Sequence, residues 1–216
     1  MMIVPWLHVI TPPTHKVDEV IRIAIEIADH VDFIHLRQKE WSARKLWEVI
    51  ESCRHSGIPT QKWIINDRCD VAAAIQAKGV QLAYHSLPCR VVRRMYPQLT
   101  VGVSVHNEDE AVIAEQDGAD YLLFGHVFET SCKPGVRERG LDGLQACREV
   151  VDIPIIAIGG IKPDHMMRVV RAGGSGVAVM SGIWNAESPE IAARTYREAL
   201  LSSVQYAVHE RSYSRE

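Results

Sequence analysis

An apolar run, Tyr121 to Phe124, ends at Gly125, and the next side chain is His126; Thr130, Ser131 and Lys133 follow within one short segment. Imidazole takes and gives a proton near neutral pH without strong tuning, so His126 is a candidate acid–base group. Lys133 is a candidate for holding a phosphate or carboxylate, since an ammonium donates hydrogen bonds to anions; a solvated loop lysine is the other reading. Two other apolar runs end in small residues, Gly159-Gly160 in IAIGGI and Ser181-Gly182 in AVMSG. Glycine lets backbone N–H groups approach an anion, and a helix start just beyond adds a favourable field. Together the two pairs form a candidate phosphate cup. Cys132 has no activating base beside it and is assigned no nucleophilic role.

These residues can meet only if the elements that carry them finish on one side of the fold. Short β-branched or aromatic runs alternate with amphipathic segments along the chain. Strands are predicted at Trp6–Ile10, Phe33–Arg37, Trp63–Asn66, Val80–Ala83, Val101–Ser104, Tyr121–Gly125, Ile155–Gly159 and Val177–Met180. The intervening segments carry apolar residues at three- and four-residue spacing, as in VDEVIRIAIEIADHV. Pro163 and Pro189 suit first helical turns, and Gly57, Gly79, Gly118 and Gly173 are expected where helices end.

Eight such alternations fit either a closed (β/α)8 barrel or a doubly wound sheet. The count favours the barrel, and TPPTHK after the first strand lacks the GxGxxG turn of a dinucleotide-binding sheet. The expectation is an α/β protein with a single TIM-barrel domain over residues 1–207 and a polar tail over 208–216.

The active site of such a barrel lies at the carboxyl ends of its strands. That rim collects Thr11, Arg37, Lys39, Asn66, Asp67, Tyr84, His85, Ser104, His106 and His126, then the two small-residue pairs. His8 and His35 fall inside strands 1 and 2, where inward packing with one hydrogen bond is expected.

A formal net charge of -3 leaves no basic footprint for nucleic acid or an anionic membrane. The five cysteines are odd in number and form no CxxC pair, so neither a disulfide framework nor a zinc site is expected. No stretch approaches a membrane span, and the first residues lack a secretory pattern, so a cytoplasmic protein is expected.

With strand ends placed, the chain resembles the thiamine phosphate synthase superfamily from about Leu7 to Leu200. The pieces that carry the likeness are HLRQK, IINDRCD, GVSVHNEDEA, GADYLLFGHVFETSCK, PIIAIGGIKPD and GVAVMSGI. Within that superfamily FGHVFET resembles the hallmark of the TenI branch, the thiazole tautomerases. The resemblance implies that a synthase couples a pyrimidine pyrophosphate to a thiazole phosphate and needs Mg²⁺ on the pyrophosphate. Its metal is held by the Asp of an NDxx(D/E) segment and the Asp of a GxHxGQxD segment. This chain keeps Asn66-Asp67, but Ser86 stands where the second aspartate belongs. The loop after strand 6 departs from G-P-x-x-x-T-x-T-K, with His126 for the proline and Cys132 for a hydroxyl.

These departures favour a thiazole tautomerase, an isomerase of thiamine biosynthesis. It would aromatise a carboxythiazole-ylidene ethyl phosphate by moving one proton through His126, with no cofactor and no metal. Arg37, Lys133 and Ser104 would hold the anionic groups, with Lys39, Asn66 and Thr130 beside them. Gly159, Gly160, Ser181 and Gly182 would hold the phosphate. The partners implied are the thiazole phosphate carboxylate and, from the superfamily, a second copy in a homodimer, with neither nucleic acid nor membrane. Two alternatives stay open: a residual thiamine phosphate synthase, and a non-catalytic regulatory or ligand-sensing protein.

Overall fold

A computed structural model of the chain describes residues 5–130, 135 and 137–213, with side chains as far as Tyr206. Eight parallel strands close on themselves in chain order: β1 (Trp6–Ile10), β2 (Phe33–Leu36), β3 (Trp63–Asn66), β4 (Gly79–Leu82), β5 (Thr100–Val105), β6 (Tyr121–Gly125), β7 (Ile155–Ile158) and β8 (Gly176–Val179). The first strand pairs with the last through Trp6 to Gly176 and Val9 to Val179. The helices between them are α1 (Val17–Ile27), α2 (Ala43–His55), α3 (Cys69–Ala74), α4 (Cys89–Met95), α5 (Glu108–Gln116), α6 (Gly140–Val150), α7 (Met166–Arg171), the short α8 (Ser181–Trp184) and α9 (Pro189–Tyr213). This is a (β/α)8 barrel, and each strand lies within a residue or so of its predicted position. No helix among the described residues is long and apolar enough to cross a membrane.

Alternation along the strands makes two cores. Leu7, Val9, Ile34, Leu36, Trp63, Ile65, Leu122 and Phe124 face the helices. Their neighbours Ile10, Ile64, Tyr121, Leu123, Ile156 and Ala178 fill the barrel lumen, with Trp6 and Phe33 packed against them. Strands buried on both faces read as nearly continuous apolar runs, which is why they stand out in the sequence.

One helix-end expectation fails. Gly79 is the first residue of β4, and a Cβ there would overlap the carbonyl of Thr100 on β5. The left-handed turn after α3 is made instead by Gln76, with φ of 54°. Gly57, Gly118 and Gly173 do take positive φ after their helices. Four cysteines, Cys53, Cys69, Cys89 and Cys147, are buried free thiols. Burial pushes the Cys53 thiol up to about 12, and Cys89 and Cys147 up to about 11, so none of these three is a ready nucleophile.

His8 and His35 pack inward as expected, and they meet in the lumen, with His8 Nδ1 2.8 Å from His35 Nε2 and both side chains fully buried. Burial holds His8 well below the usual imidazole range, helped by the charges on His35 and Arg197. Burial lowers His35 to about 3, against the opposing effect of Asn66, which would accept a hydrogen bond from the protonated ring. Both rings are therefore neutral in the fold, whereas the unfolded chain protonates them near pH 6.5. Their contribution is fully present above about pH 6.5 and is lost as the pH falls toward about 3. Between pH 6.5 and 5 the expected loss is about 2 kcal/mol for each imidazole. Urea unfolding at pH 7.5 and 5.0 measures it, and His35→Gln should flatten the dependence. An unchanged slope in that variant contradicts the assignment.

Candidate active site

The predicted rim residues lie at the carboxyl ends of the strands, and their backbones show how they are held. Arg37 follows β2, its N–H donating to Thr11 Oγ1 at 2.8 Å. It is half-buried, and no carboxylate among the described residues pairs with its guanidinium. Gln38 is buried beside it and donates from Nε2 to Pro12 O at 2.7 Å, which ties the loop after β2 to the loop after β1. Lys39, the next residue, is exposed.

Asn66 ends β3 in register with Gln81 of β4, on the lumen side by alternation from Ile64. Asp67 then takes a left-handed φ of 67°, a conformation Asp tolerates better than most residues. Its N–H donates to Gln81 O at 2.9 Å, and Arg68 N–H closes back on Asn66 O at 2.8 Å. The turn leaves the Asp67 side chain exposed at the rim.

Beyond β4, Tyr84 is 95% exposed and His85 packs edge-on against it at 5.0 Å. Ser86 closes that turn from both sides. Its N–H donates to Ala83 O at 2.9 Å, and its Oγ accepts from Ala83 N–H at 2.9 Å. On β5, Ser104 accepts from Gln81 Nε2 at 3.0 Å. His106 is drawn away to the start of α5, where Nδ1 lies 3.0 Å from Glu110 and its N–H donates to the same carboxylate. Asn107 is the N-cap of that helix, accepting from Glu110 N–H at 2.8 Å, and His106 is held just before it.

His126 is 4% exposed, and its carbonyl accepts from Arg139 N–H at 2.9 Å. The next two residues run alongside β7: Val127 N–H donates to Ile158 O at 2.8 Å and Phe128 N–H to Gly159 O at 3.0 Å. The Phe128 ring lies 4.1 Å from His165 and 5.2 Å beneath the Arg168 guanidinium. This close approach demands small residues. A Cβ on Gly159 would overlap His126 Cβ, and one on Gly160 would overlap Glu129 O, while both glycines hold positive φ. Gly182 is pressed against Tyr196 Oη in the same way. The glycines thus have a packing role whatever else they bind. Ser181 opens α8 and is exposed, and Thr130 is half-buried; Lys133 lies outside the described residues.

Comparison with known proteins decides between the branches. The family model described as thiamine monophosphate synthase matches residues 7–183. The chain belongs to the thiamine monophosphate synthase family. It is 40% identical over 211 residues to the thiamine-phosphate synthase of Chloroflexus aurantiacus, covering 94% of this chain and 96% of that protein. It is 42% identical over 173 residues to the thiamine-phosphate synthase of Moorella thermoacetica, covering 77% and 81% of the two chains. Among solved structures, a thiamine phosphate pyrophosphorylase from Pyrococcus furiosus superposes with a TM-score of 0.79 at 34% identity, over 94% of this chain and 98% of that one.

These relatives overturn the thiazole tautomerase expected from FGHVFET. They are named as synthases, which are transferases, and the isomerase assignment falls with the tautomerase. The tautomerase expectation rests on FGHVFET and on the departures at Ser86 and Cys132, whereas the synthase likeness runs from β1 to α8.

The synthase resemblance implies Mg²⁺ on the pyrophosphate, which the residues of the rim can be set against. Among the described residues no group of three or more His, Cys, Asp or Glu could hold a metal. Asp67 is the carboxylate retained from the pattern, and the Ser86 hydroxyl is neutral and engaged with Ala83. Mg²⁺ is commonly held by one or two carboxylates, water and substrate phosphate oxygens rather than by an all-protein cage. The residues present fit a cation that arrives with a pyrophosphate, held more loosely than by two carboxylates. Asp67 therefore joins the candidate site, from which its missing partner had removed it.

Proposed function

We propose that this chain is a transferase that couples a pyrimidine pyrophosphate to a thiazole phosphate and releases pyrophosphate. The observation that carries this is the match along almost its whole length to thiamine-phosphate synthases, at 40% identity over 94% of the chain. Gly159, Gly160, Ser181 and Gly182 are assigned to the phosphate of the thiazole, where backbone N–H groups at β7 and β8 are available to an anion. Arg37, Lys39 and Lys133 are assigned to the pyrophosphate as fixed positive charge around a developing anion. Asn66, Ser104 and Thr130 add neutral hydrogen bonds and orientation. His126 is assigned a hydrogen bond to an anionic oxygen at the same rim, with no proton transfer to carbon. A homodimer forms part of the proposal and is read directly by sedimentation.

Asp67 would hold Mg²⁺, which when bound supplies charge neutralisation to the departing pyrophosphate. Ser86 bears on how tightly. Aspartate accepts a backbone N–H in turns much as serine does, so Ser86→Asp should keep the Ala83 turn. It adds the second carboxylate and should lower the Mg²⁺ concentration for half-maximal pyrophosphate release by about tenfold, since ligand charge sets affinity for a hard cation. Pyrophosphate release from both substrates, titrated with Mg²⁺ for wild type and Ser86→Asp, tests the function and this detail together. Wild type that releases no pyrophosphate above the uncatalysed rate rejects the proposal. Equal Mg²⁺ dependence in the two proteins rejects the role given to Ser86.

A further inference from the structure

Beneath the rim, three side chains on adjacent strands form a polar line across the lumen. Tyr121 on β6 is fully buried, and its hydroxyl donates to Gln81 Oε1 at 2.7 Å. Gln81 on β4 is buried as well, and its Nε2 lies 3.0 Å from Ser104 Oγ on β5. Gly102 makes the space for this line: a Cβ there would overlap the Tyr121 ring and come within 2.5 Å of Gln81 Oε1.

The direction of every bond in the line is determined. Gln81 Nε2 also lies 3.3 Å from Leu82 O, and a carbonyl can only accept, so that end of the amide is the NH₂. Oε1 therefore faces Tyr121, which must donate. Burial raises the Tyr121 hydroxyl far above the usual phenol range, so it keeps its proton. Gln81 then donates to Ser104 Oγ, and the serine proton is left for another acceptor. Ser104 is half-buried near the carboxyl end of β5, where the lumen opens to the site.

We propose that Gln81 is a positioning residue: with Tyr121 it fixes Ser104 as a hydrogen-bond donor to a phosphate oxygen of the substrate. The proposal rests on the transferase reading for the identity of that substrate. Ser104 cannot spend its proton on Gln81, so the rim gains an oriented donor without a charge. A bond of that kind to an anion is commonly worth about a factor of ten to a hundred in affinity.

Three replacements at Gln81 separate orientation from bulk. Gln81→Met keeps the length and removes both polar atoms. Gln81→His keeps an acceptor for Tyr121 and a donor for Ser104. Gln81→Glu accepts from both neighbours and turns the Ser104 hydroxyl downward. The KM for the pyrimidine pyrophosphate, and the affinity for inorganic pyrophosphate by calorimetry, should weaken about tenfold in Gln81→Met and in Ser104→Ala. The double variant Gln81→Met/Ser104→Ala should be no weaker than Ser104→Ala alone, and Gln81→His should stay within about threefold of wild type. Gln81→Glu should weaken more than Gln81→Met. If Gln81→Met does not fold, Tyr121→Phe, which removes only the donor to Oε1, should still weaken both values by a few fold.

Additive losses in the double variant overturn the proposal, as do wild-type values in both Gln81→Met and Tyr121→Phe. Failure of the transferase reading looks different: wild type turns over no substrate pair, yet its pyrophosphate affinity still drops in Gln81→Met if the line is right. Wild type that binds no pyrophosphate at all overturns the donor role of Ser104.

Discussion

Asp67→Asn is expected to lower Mg²⁺-dependent pyrophosphate release by about 10²-fold or more, the size of lost charge stabilisation on a departing phosphate group. The change is close to isosteric, and asparagine accepts left-handed φ as readily as aspartate, so the turn at φ of 67° should survive. The backbone bonds that hold it, Asp67 N–H to Gln81 O and Arg68 N–H to Asn66 O, do not involve the carboxylate. Thermal unfolding should accordingly move by little. The loss should be eased by raising Mg²⁺, and adding Ser86→Asp should restore part of the rate by supplying a carboxylate on the neighbouring loop. A fully active Asp67→Asn protein would falsify the place given to this residue. Loss of activity with a large drop in melting temperature would assign it to the fold instead.

Gly159→Ala should be the most damaging single methyl group that can be added at this rim. The residue has φ of 96°, where an alanine costs about 1–2 kcal/mol. Its Cβ would also overlap His126 Cβ, and relieving that overlap by backbone movement costs about 1–3 kcal/mol. The sum, about 3 kcal/mol, corresponds to a melting temperature lower by roughly 6–12 °C for a domain of this size. Because Val127 and Phe128 hydrogen-bond along β7, the shift should carry the start of the β6–α6 loop with it. Pyrophosphate release should fall at temperatures where the protein is still folded. A variant with normal stability but weaker phosphate binding would assign Gly159 to anion contact alone. A variant with both properties intact would remove it from the site.

The barrel was legible because its strands are buried on both faces and punctuated by polar rims, so Trp63–Asn66 and Tyr121–Gly125 could be placed to the residue. The inward packing of His8 and His35 followed from their places inside the first two strands, whereas their contact with each other is seen only in the fold. Gly79 was misplaced because a glycine before a strand serves equally as a helix end or as room for a neighbouring backbone, and only the register with Thr100 separates the two. Ser86 in place of a second aspartate hides the part Asp67 can play, because one carboxylate with substrate oxygens can suffice for Mg²⁺. Gln81 and Tyr121 gave no sequence signal as a pair: they are forty residues apart and meet only through the lumen. His126 shows the opposite error. A residue suited to acid–base chemistry at a strand end does not name the reaction, because a histidine there serves anion binding or packing as well.

Phosphorus NMR of the wild-type protein, supplied with the pyrimidine pyrophosphate, the thiazole phosphate and Mg²⁺, measures the central claim most directly. A transferase gives inorganic pyrophosphate and a new phosphate monoester in equal amounts, and gives neither when one substrate is left out. Spectra that stay at the uncatalysed control with all components present, at enzyme concentrations approaching those of the substrates, contradict it.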